Sequence, residues 1–332
     1  MCKRCRMNKL KVFEKVFHKR AASGFPVKSP GTVLLLFLMI PYIITSLFGN
    51  AGEAQAPLAD VKEMEAQLLE GNGYVYNKTA LGTEKIPLEV YTADVLERVM
   101  GEGYEMEARK AQAILIRTNL ISGTDEEITV SDEEYGKSTV RMENLQAVCE
   151  TRGICVYYEG NPVYGAYFLV SGGNTRCAGE IPGMENYPYL VQVPCERDYM
   201  SKDYMHKVEY SVEEFEKVWE KCREIKEEEI PDQTLMEETG EIVIAKDSAG
   251  YGLFLKYREK WILCEELRYE LRLPSSDFKI EKEGGGLVFT VKGSGHGLGM
   301  SQFGANEMAL KGKDFDEILR YFFRDVNIQS FE

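Results

Sequence analysis

The longest continuous apolar stretch of the chain lies near its N-terminus. Residues 29–52 contain no charged side chain, and residues 33–48 are almost all aliphatic or aromatic. A helix rises about 1.5 Å per residue, so roughly 20 residues cross a bilayer core, and Pro41 is tolerated in such a helix. Basic residues precede the stretch and acidic residues follow it. The pattern predicts a transmembrane anchor at residues 31–50 and a cytoplasmic N-terminus.

Two other interpretations of this apolar stretch are open. A buried core helix is disfavoured because basic residues flank only one side. A cleaved signal peptide is suggested by Ala54-Gln55-Ala56, which has the small-residue pattern of a cleavage site. The Pro57 that follows and the long basic leader favour an uncleaved anchor. Under the anchor and signal interpretations alike, the rest of the chain is exported.

Helical spacing predicts two consecutive helices beyond a linker at residues 51–85. The second helix spans about 106–121, and Gly101 and Gly103 separate it from the first. Apolar positions lie on one face of each helix: Val95, Leu96, Val99 and Met100 in the first, and Ala108, Ala111 and Leu115 in the second.

Strand patterns follow. Residues 147–158 predict a strand, a Thr151-Arg152-Gly153 turn and a second strand, and 163–170 predict a third. A charged amphipathic helix is predicted at 211–229. Further strands are predicted within 242–262 and at 287–291. Together these patterns predict a mixed α+β fold with antiparallel hairpins and short helices.

The charge is distributed unevenly. The chain carries a net charge of −14, whereas residues 1–30 hold nine basic residues and one acidic residue, a net +8. The remainder therefore carries −22. A strongly acidic body argues against nucleic acid as a partner.

The cysteines divide between the two predicted sides of the membrane. Cys2 and Cys5 precede the apolar stretch, and six cysteines follow it. Disulfides persist outside the cytoplasm, but six cysteines allow 15 pairings and the sequence does not select one. No cysteine or histidine spacing is typical of zinc, so neither a metal nor a cofactor is expected.

The most distinctive motif is Lys292-Gly-Ser-Gly-His-Gly-Leu-Gly-Met-Ser-Gln-Phe-Gly-Ala305. It predicts a strand, a glycine-rich turn around His296 and a helix that begins near Ser301 and Gln302. Alternate glycines permit positive φ and close approach to a ligand. The unpaired N–H groups of a helix start suit sugar hydroxyls or an anion.

This motif resembles the C-terminal signature of the stage II sporulation protein D and amidase enhancer family. Four other stretches resemble family segments in the same order: 87–91, Lys110-Ala-Gln-Ala-Ile-Leu-Ile-Arg-Thr118, 147–153 and Ser171-Gly-Gly-Asn-Thr175. A later stretch, 267–276, also corresponds. The resemblance covers residues 86–330.

The resemblance implies an α+β domain at residues 86–330 that acts on peptidoglycan. It also implies a set of substrate-binding residues: Lys110, Gln112, Arg117, Ser171, Thr175, His296, Ser301 and Gln302. Family enzymes are lytic transglycosylases, in which one glutamic acid protonates the leaving oxygen. The amidase-enhancer branch implies other wall hydrolases as partners.

The sequence departs from the family pattern at two functional positions. The register places the catalytic glutamate at Val99, which has no proton to donate. A family histidine upstream of Ser171 is replaced by Phe168. Glu97 and Glu102 are the nearby candidates for a displaced acid, although glutamates are usually solvated surface groups.

Three functional hypotheses follow. The first is a membrane-anchored peptidoglycan remodelling protein that binds glycan strands without cutting them efficiently, or that enhances an amidase. The second is an active lytic transglycosylase with a displaced glutamate. The third is a structural subunit of a wall-remodelling membrane complex, with the acidic segment 203–240 as its docking face.

Overall fold

The computed structural model describes residues 58–70, 73–122, 128–230 and 234–331. The predicted basic segment 1–30 and the predicted anchor 31–50 lie outside these ranges. Among the helices within them, none combines the length and the apolar character needed to cross a bilayer. The described part is a mixed α+β structure with mainly antiparallel sheets, as the sequence predicts.

The N-terminal half is mostly helical. Its elements are α1 (Leu58–Leu69), β1 (Tyr74–Thr79), β2 (Gly82–Pro87), α2 (Leu88–Val99), α3 (Met106–Ile121), β3 (Ile128–Val130), α4 (Met142–Glu150), β4 (Ile154–Tyr158), β5 (Asn161–Pro162) and β6 (Tyr167–Phe168). Helices α2 and α3 confirm the predicted pair.

The C-terminal half contains most of the strands. Its elements are β7 (Met205–Ser211), α5 (Val212–Lys221), β8 (Leu235–Thr239), β9 (Ile242–Lys246), β10 (Gly252–Tyr257), β11 (Lys260–Leu263), α6 (Cys264–Glu270), β12 (Phe278–Glu283), β13 (Gly286–Lys292), β14 (Met300–Ser301), α7 (Gln302–Ala309), α8 (Phe315–Phe322) and β15 (Asn327–Ser330).

Two apolar cores organise these elements. In the first, α3 packs against α2, α4, α7, α8 and β4. Small buried residues such as Ala108, Ala111 and Ala113 let these neighbours approach α3 closely. The second core lies between the sheet β12-β13-β7, the sheet β11-β10-β9-β8 and helices α5 and α6. Phe215 and Phe289 fill its centre.

Four expectations about local structure need correction. Residues 147–150 belong to helix α4 rather than to a strand, because Asn144, Leu145, Ala147 and Val148 form one buried helical face. The predicted 147–158 hairpin therefore does not exist. All six cysteines of the described ranges are free.

The strand predicted at 163–170 is reduced to the two residues of β6. Before it, the Gly165 N–H donates to the Asn119 side chain and the Tyr164 N–H donates to the Tyr189 hydroxyl, so these backbone groups do not join a ladder.

The helix predicted at 211–229 ends at Lys221. Ile225 beyond it forms a β-bridge with Trp261. The described part of the predicted linker 51–85 contains α1 and the β1–β2 hairpin, whose Leu68 and Val75 are buried.

Candidate functional site: the glycine turn and the start of helix α7

The glycine turn, residues 293–299, connects β13 to β14. Gly293, Gly295, Gly297 and Gly299 have φ values of 72°, 117°, 80° and 72°, which confirms the predicted positive φ. These glycines also let the turn pack closely against neighbouring segments of the protein. A Cβ on Gly297 would lie 2.7 Å from the Tyr251 ring, and one on Gly293 would lie 2.7 Å from the Val170 carbonyl oxygen.

His296 lies at the centre of this turn and is half-buried. Its Nδ1 accepts a hydrogen bond of 3.1 Å from the Leu298 N–H, so in the neutral ring the proton is on Nε2. Desolvation by burial lowers the pKa of His296. A hydrogen bond with the Tyr167 backbone opposes this shift, so both sides of the ring interact with the protein backbone.

Phe168 packs against His296, with ring centroids 5.7 Å apart. Strand β6 pairs in parallel with β14, and Phe168 is opposite Ser301 in the register. The position at which the family pattern has histidine thus does lie beside the glycine turn. In this chain it supplies an apolar ring instead of a second imidazole.

A buried aspartate that the sequence analysis missed joins two of the motifs. Asp198 Oδ2 accepts from the Ser171 N–H at 2.7 Å and from the Ser301 hydroxyl at 2.7 Å. Ser301 also caps α7 by accepting from the Gly304 N–H. Burial raises the pKa of Asp198. Asp198 belongs to no recognisable motif, so only the fold reveals this connection.

Gln302 links the start of α7 to the predicted acid position. Its Nε2 donates to the Val99 carbonyl oxygen at 3.0 Å and to Gln112 Oε1 at 3.1 Å. Val99 is the last residue of α2, and its side chain is half-buried. The structure therefore brings Val99, Gln112, Ser301 and Gln302 together, as the resemblance implies.

The two candidate replacement acids differ in their environments. The Glu97 carboxylate accepts hydrogen bonds from Arg141 Nε at 2.7 Å and from Asn144 Nδ2 at 2.8 Å, so each of its oxygens already has a protein partner. Glu102 is exposed in the loop between α2 and α3. An exposed carboxylate lacks the apolar enclosure that is typical of a general acid in this kind of reaction.

Three other residues implied by the resemblance have structural contacts. Arg117 is fully buried and forms an ion pair with Glu89 at 2.6 Å. Lys110 lies between Glu107 and Glu150, at 2.7 Å from each carboxylate. The Thr175 hydroxyl bonds the backbone of Val191 and Val193. None of the three has a contact to the glycine turn.

An ionic cluster around the buried Arg176 contacts the backbone of the turn, and the sequence analysis did not identify it. Arg176 donates to Asp247 at 2.6 Å, to Glu265 at 3.2 Å and to the His296 carbonyl oxygen at 3.3 Å. Its guanidinium also lies over the Tyr251 ring. These contacts fix the backbone of the turn at His296.

The side chains that surround Val99 at the start of α7 are neutral amides, those of Gln302 and Gln112. The His296 ring and the amides of Gln302 and Gln112 form hydrogen bonds of the kind that sugar hydroxyls and acetamido groups use. The buried Nε2 of Gln112 has no hydrogen-bond partner among the described residues. No group of three or more potential metal ligands occurs within the described ranges.

Comparison with known proteins places these features in context. A family model described as "Stage II sporulation protein" matches residues 76–158, which include α2, α3 and α4. Stage II sporulation protein D of Bacillus amyloliquefaciens is 30% identical over 280 residues, covering 77% of this chain and 78% of the relative.

Two relatives come from Bacillus subtilis strain 168. Its stage II sporulation protein D is 28% identical over 334 residues, covering 89% of this chain and 93% of the relative. Its amidase enhancer is 23% identical over 282 residues, covering 71% of this chain and 40% of the relative.

Proposed function

The chain belongs to the stage II sporulation protein D family, and on that premise we propose that it is a sporulation-related protein of cell-wall remodelling. In this proposal it binds the glycan strands of peptidoglycan at the glycine turn and the start of α7. It lacks the acid needed to cut them efficiently. The amidase enhancer among its relatives supports a partnership with a wall hydrolase.

One observation carries the proposal. The carbonyl of Val99 is hydrogen-bonded to Gln302, so position 99 lies at the motif that gives the family its signature. Its side chain is an isopropyl group, which cannot protonate a leaving oxygen. Glu97 is held by Arg141 and Asn144, and Glu102 is solvated.

We propose the cytoplasmic membrane as the location. The uncharged residues 29–52, preceded by a basic segment and followed by an acidic body, support a single membrane pass with the C-terminal domain outside the cytoplasm.

The segment 203–240 is part of the folded domain. It supplies β7 and α5, and Phe215 and Trp219 of α5 are buried in the second core. A test of this segment as a docking face therefore requires substitutions at its exposed glutamates rather than its deletion.

The proposal is tested by incubating the full chain with purified sacculi and analysing both phases. We expect the wild type to sediment with the sacculi and to release no anhydro-muropeptides. Val99→Glu should release such products if position 99 is correctly assigned, because it places a carboxyl where the family has its acid. Val99→Gln, of similar size but without an acidic proton, is the matched control.

Two results would contradict the proposal. Release of anhydro-muropeptides by the wild type, abolished by Glu102→Gln, would favour the active enzyme with a displaced acid. Failure of the wild type to sediment with sacculi would remove glycan binding altogether.

A further inference from the structure

A second concave surface lies apart from the residues of the signature motif. It is an open cleft of about 740 Å³, lined on one side by four tyrosines. We call this the tyrosine groove and define it by Tyr158, Tyr164, Tyr187 and Tyr189. Its volume lies within the range of roughly 300–1,000 Å³ that is common for ligand sites.

The four rings form one contiguous aromatic surface. The centroids of Tyr164 and Tyr187 are 5.6 Å apart, those of Tyr187 and Tyr189 are 6.1 Å apart, and those of Tyr158 and Tyr189 are 5.3 Å apart. Tyr189 is the anchor of this group, since it is 5% exposed and its hydroxyl accepts from the Tyr164 N–H at 2.7 Å. The rings are therefore held in place before any ligand arrives.

The other three tyrosines keep part of their surface in water. Tyr164 is 40% exposed, and Tyr158 and Tyr187 are half-buried. Within the described ranges their hydroxyls have no hydrogen-bond partner. An exposed aromatic ring with an unused hydroxyl offers an apolar face and a polar edge together. A pyranose has the matching surfaces, because its C–H face is apolar and its hydroxyls lie around the rim.

The charge of the groove limits the ligand further. Glu159 and Glu185 line it together with Asn161 and Asn186, and no lysine or arginine does so. Polyanions are disfavoured at such a surface. Carboxylates accept hydrogen bonds from neutral hydroxyl and acetamido groups, and side-chain amides both accept and donate them.

The groove is linked to the signature site through a short piece of backbone. Tyr164 is two residues from Ala166, whose carbonyl accepts from the Met300 N–H at 3.0 Å directly after the glycine turn. Two residues span at most about 7 Å. The groove and the turn are therefore neighbours in space.

We propose that the tyrosine groove is a binding surface for the N-acetylhexosamine units of a glycan strand, adjoining the glycine turn. This inference deepens the proposed function and depends on it for the identity of the polymer. The rings of Tyr164 and Tyr187 stack on sugar faces, and the hydroxyls and amides at the rim fix the orientation of the sugars.

Binding of the full chain to two probes tests this assignment: peptide-free glycan strands and the linear tetramer of N-acetylglucosamine. Tyr164→Ala and Tyr187→Ala should each weaken binding by about 3- to 10-fold, because one ring contact is lost. Tyr269→Ala is the matched control, since Tyr269 is 81% exposed and does not line the groove. It should leave the affinity unchanged.

The Tyr→Phe variants keep the assignment testable if an alanine variant unfolds. Tyr187→Phe retains the ring and should keep most of the affinity. Wild-type affinity for the N-acetylglucosamine tetramer should change little when salt is raised, because this ligand is neutral. Wild-type binding that Tyr164→Ala and Tyr187→Ala leave intact in folded protein would overturn the groove but not the proposed function. Preferential binding of poly(glycerol phosphate) would also overturn it. Loss of all glycan binding by the wild type would instead remove the proposed function.

Discussion

The glycine turn and the tyrosine groove are neighbouring surfaces, but the first is built around glycines, which have no side chain, and the second from large aromatic side chains. In the turn, glycines replace side chains so that backbone can pack against Phe168, Val170 and Tyr251. The groove has large side chains at its surface, and the hydroxyls of Tyr158, Tyr164 and Tyr187 have no partner among the described residues. The turn carries the strongest family signature, yet most of its contacts are with neighbouring segments of the protein. The groove carries no signature and has the features of a ligand surface.

The largest expected effect concerns the stability of the turn. Gly299→Ala places a Cβ inside 3.0 Å of the Ala166 carbonyl oxygen at a φ of +72°. Strain and overpacking should together lower the free energy of unfolding by about 3–5 kcal/mol. Urea denaturation measures this change.

Gly312→Ala is the matched control for that substitution. Gly312 has a φ of +81°, but nothing lies within 4 Å of its Cβ position. Only the conformational cost of about 1–2 kcal/mol should appear. Equal losses in the two variants would mean that close packing contributes nothing at Gly299.

An intermediate effect concerns Asp277, which lies next to Gly172 beside the turn. Burial raises the pKa of Asp277 to about 6. The folded state therefore binds a proton more tightly than the unfolded state, and stability falls as the pH rises from about 4 through 6. Asp277→Asn removes this titration. We expect the loss of unfolding free energy between pH 4 and pH 7 to be about 1–3 kcal/mol smaller in the variant than in the wild type.

Denaturant unfolding at several pH values checks this prediction. Asp325→Asn, the same exchange at an exposed position, is the matched control. An identical pH dependence for Asp277→Asn and the wild type would contradict the proposed role of Asp277.

The smallest effect is expected in the groove. Tyr164→Phe removes a hydroxyl that has no partner among the described residues and keeps the ring. The free energy of unfolding should change by no more than about 0.5 kcal/mol. Differential scanning calorimetry measures it, and a loss of the size expected for Gly299→Ala would show that the groove is structural as well.

Local sequence signals predicted the elements with strong periodicity or special backbone requirements. Helix α3 was predicted at about 106–121 and begins and ends at those residues, because its buried alanines and leucine recur at helical spacing. The positive φ of the four turn glycines and the helix start at Ser301 also follow from local chemistry.

Features that depend on long-range contacts were not predictable. In α4, the nine helical residues have an apolar pattern that also fits a strand, and packing against α3 decides the outcome. Lys110 and Arg117 lie in a motif-like stretch, but their partners Glu150 and Glu89 come from other elements. The partners of Asp198 and the residues of the tyrosine groove come from separate segments of the chain. No local sequence pattern therefore predicts either feature.

The bond between Gln302 and helix α2 uses a main-chain oxygen, which every amino acid at position 99 provides. A substitution at position 99 therefore changes the side chain without removing this bond between α2 and α7. The two helices can stay joined while the chemistry of that side chain varies freely.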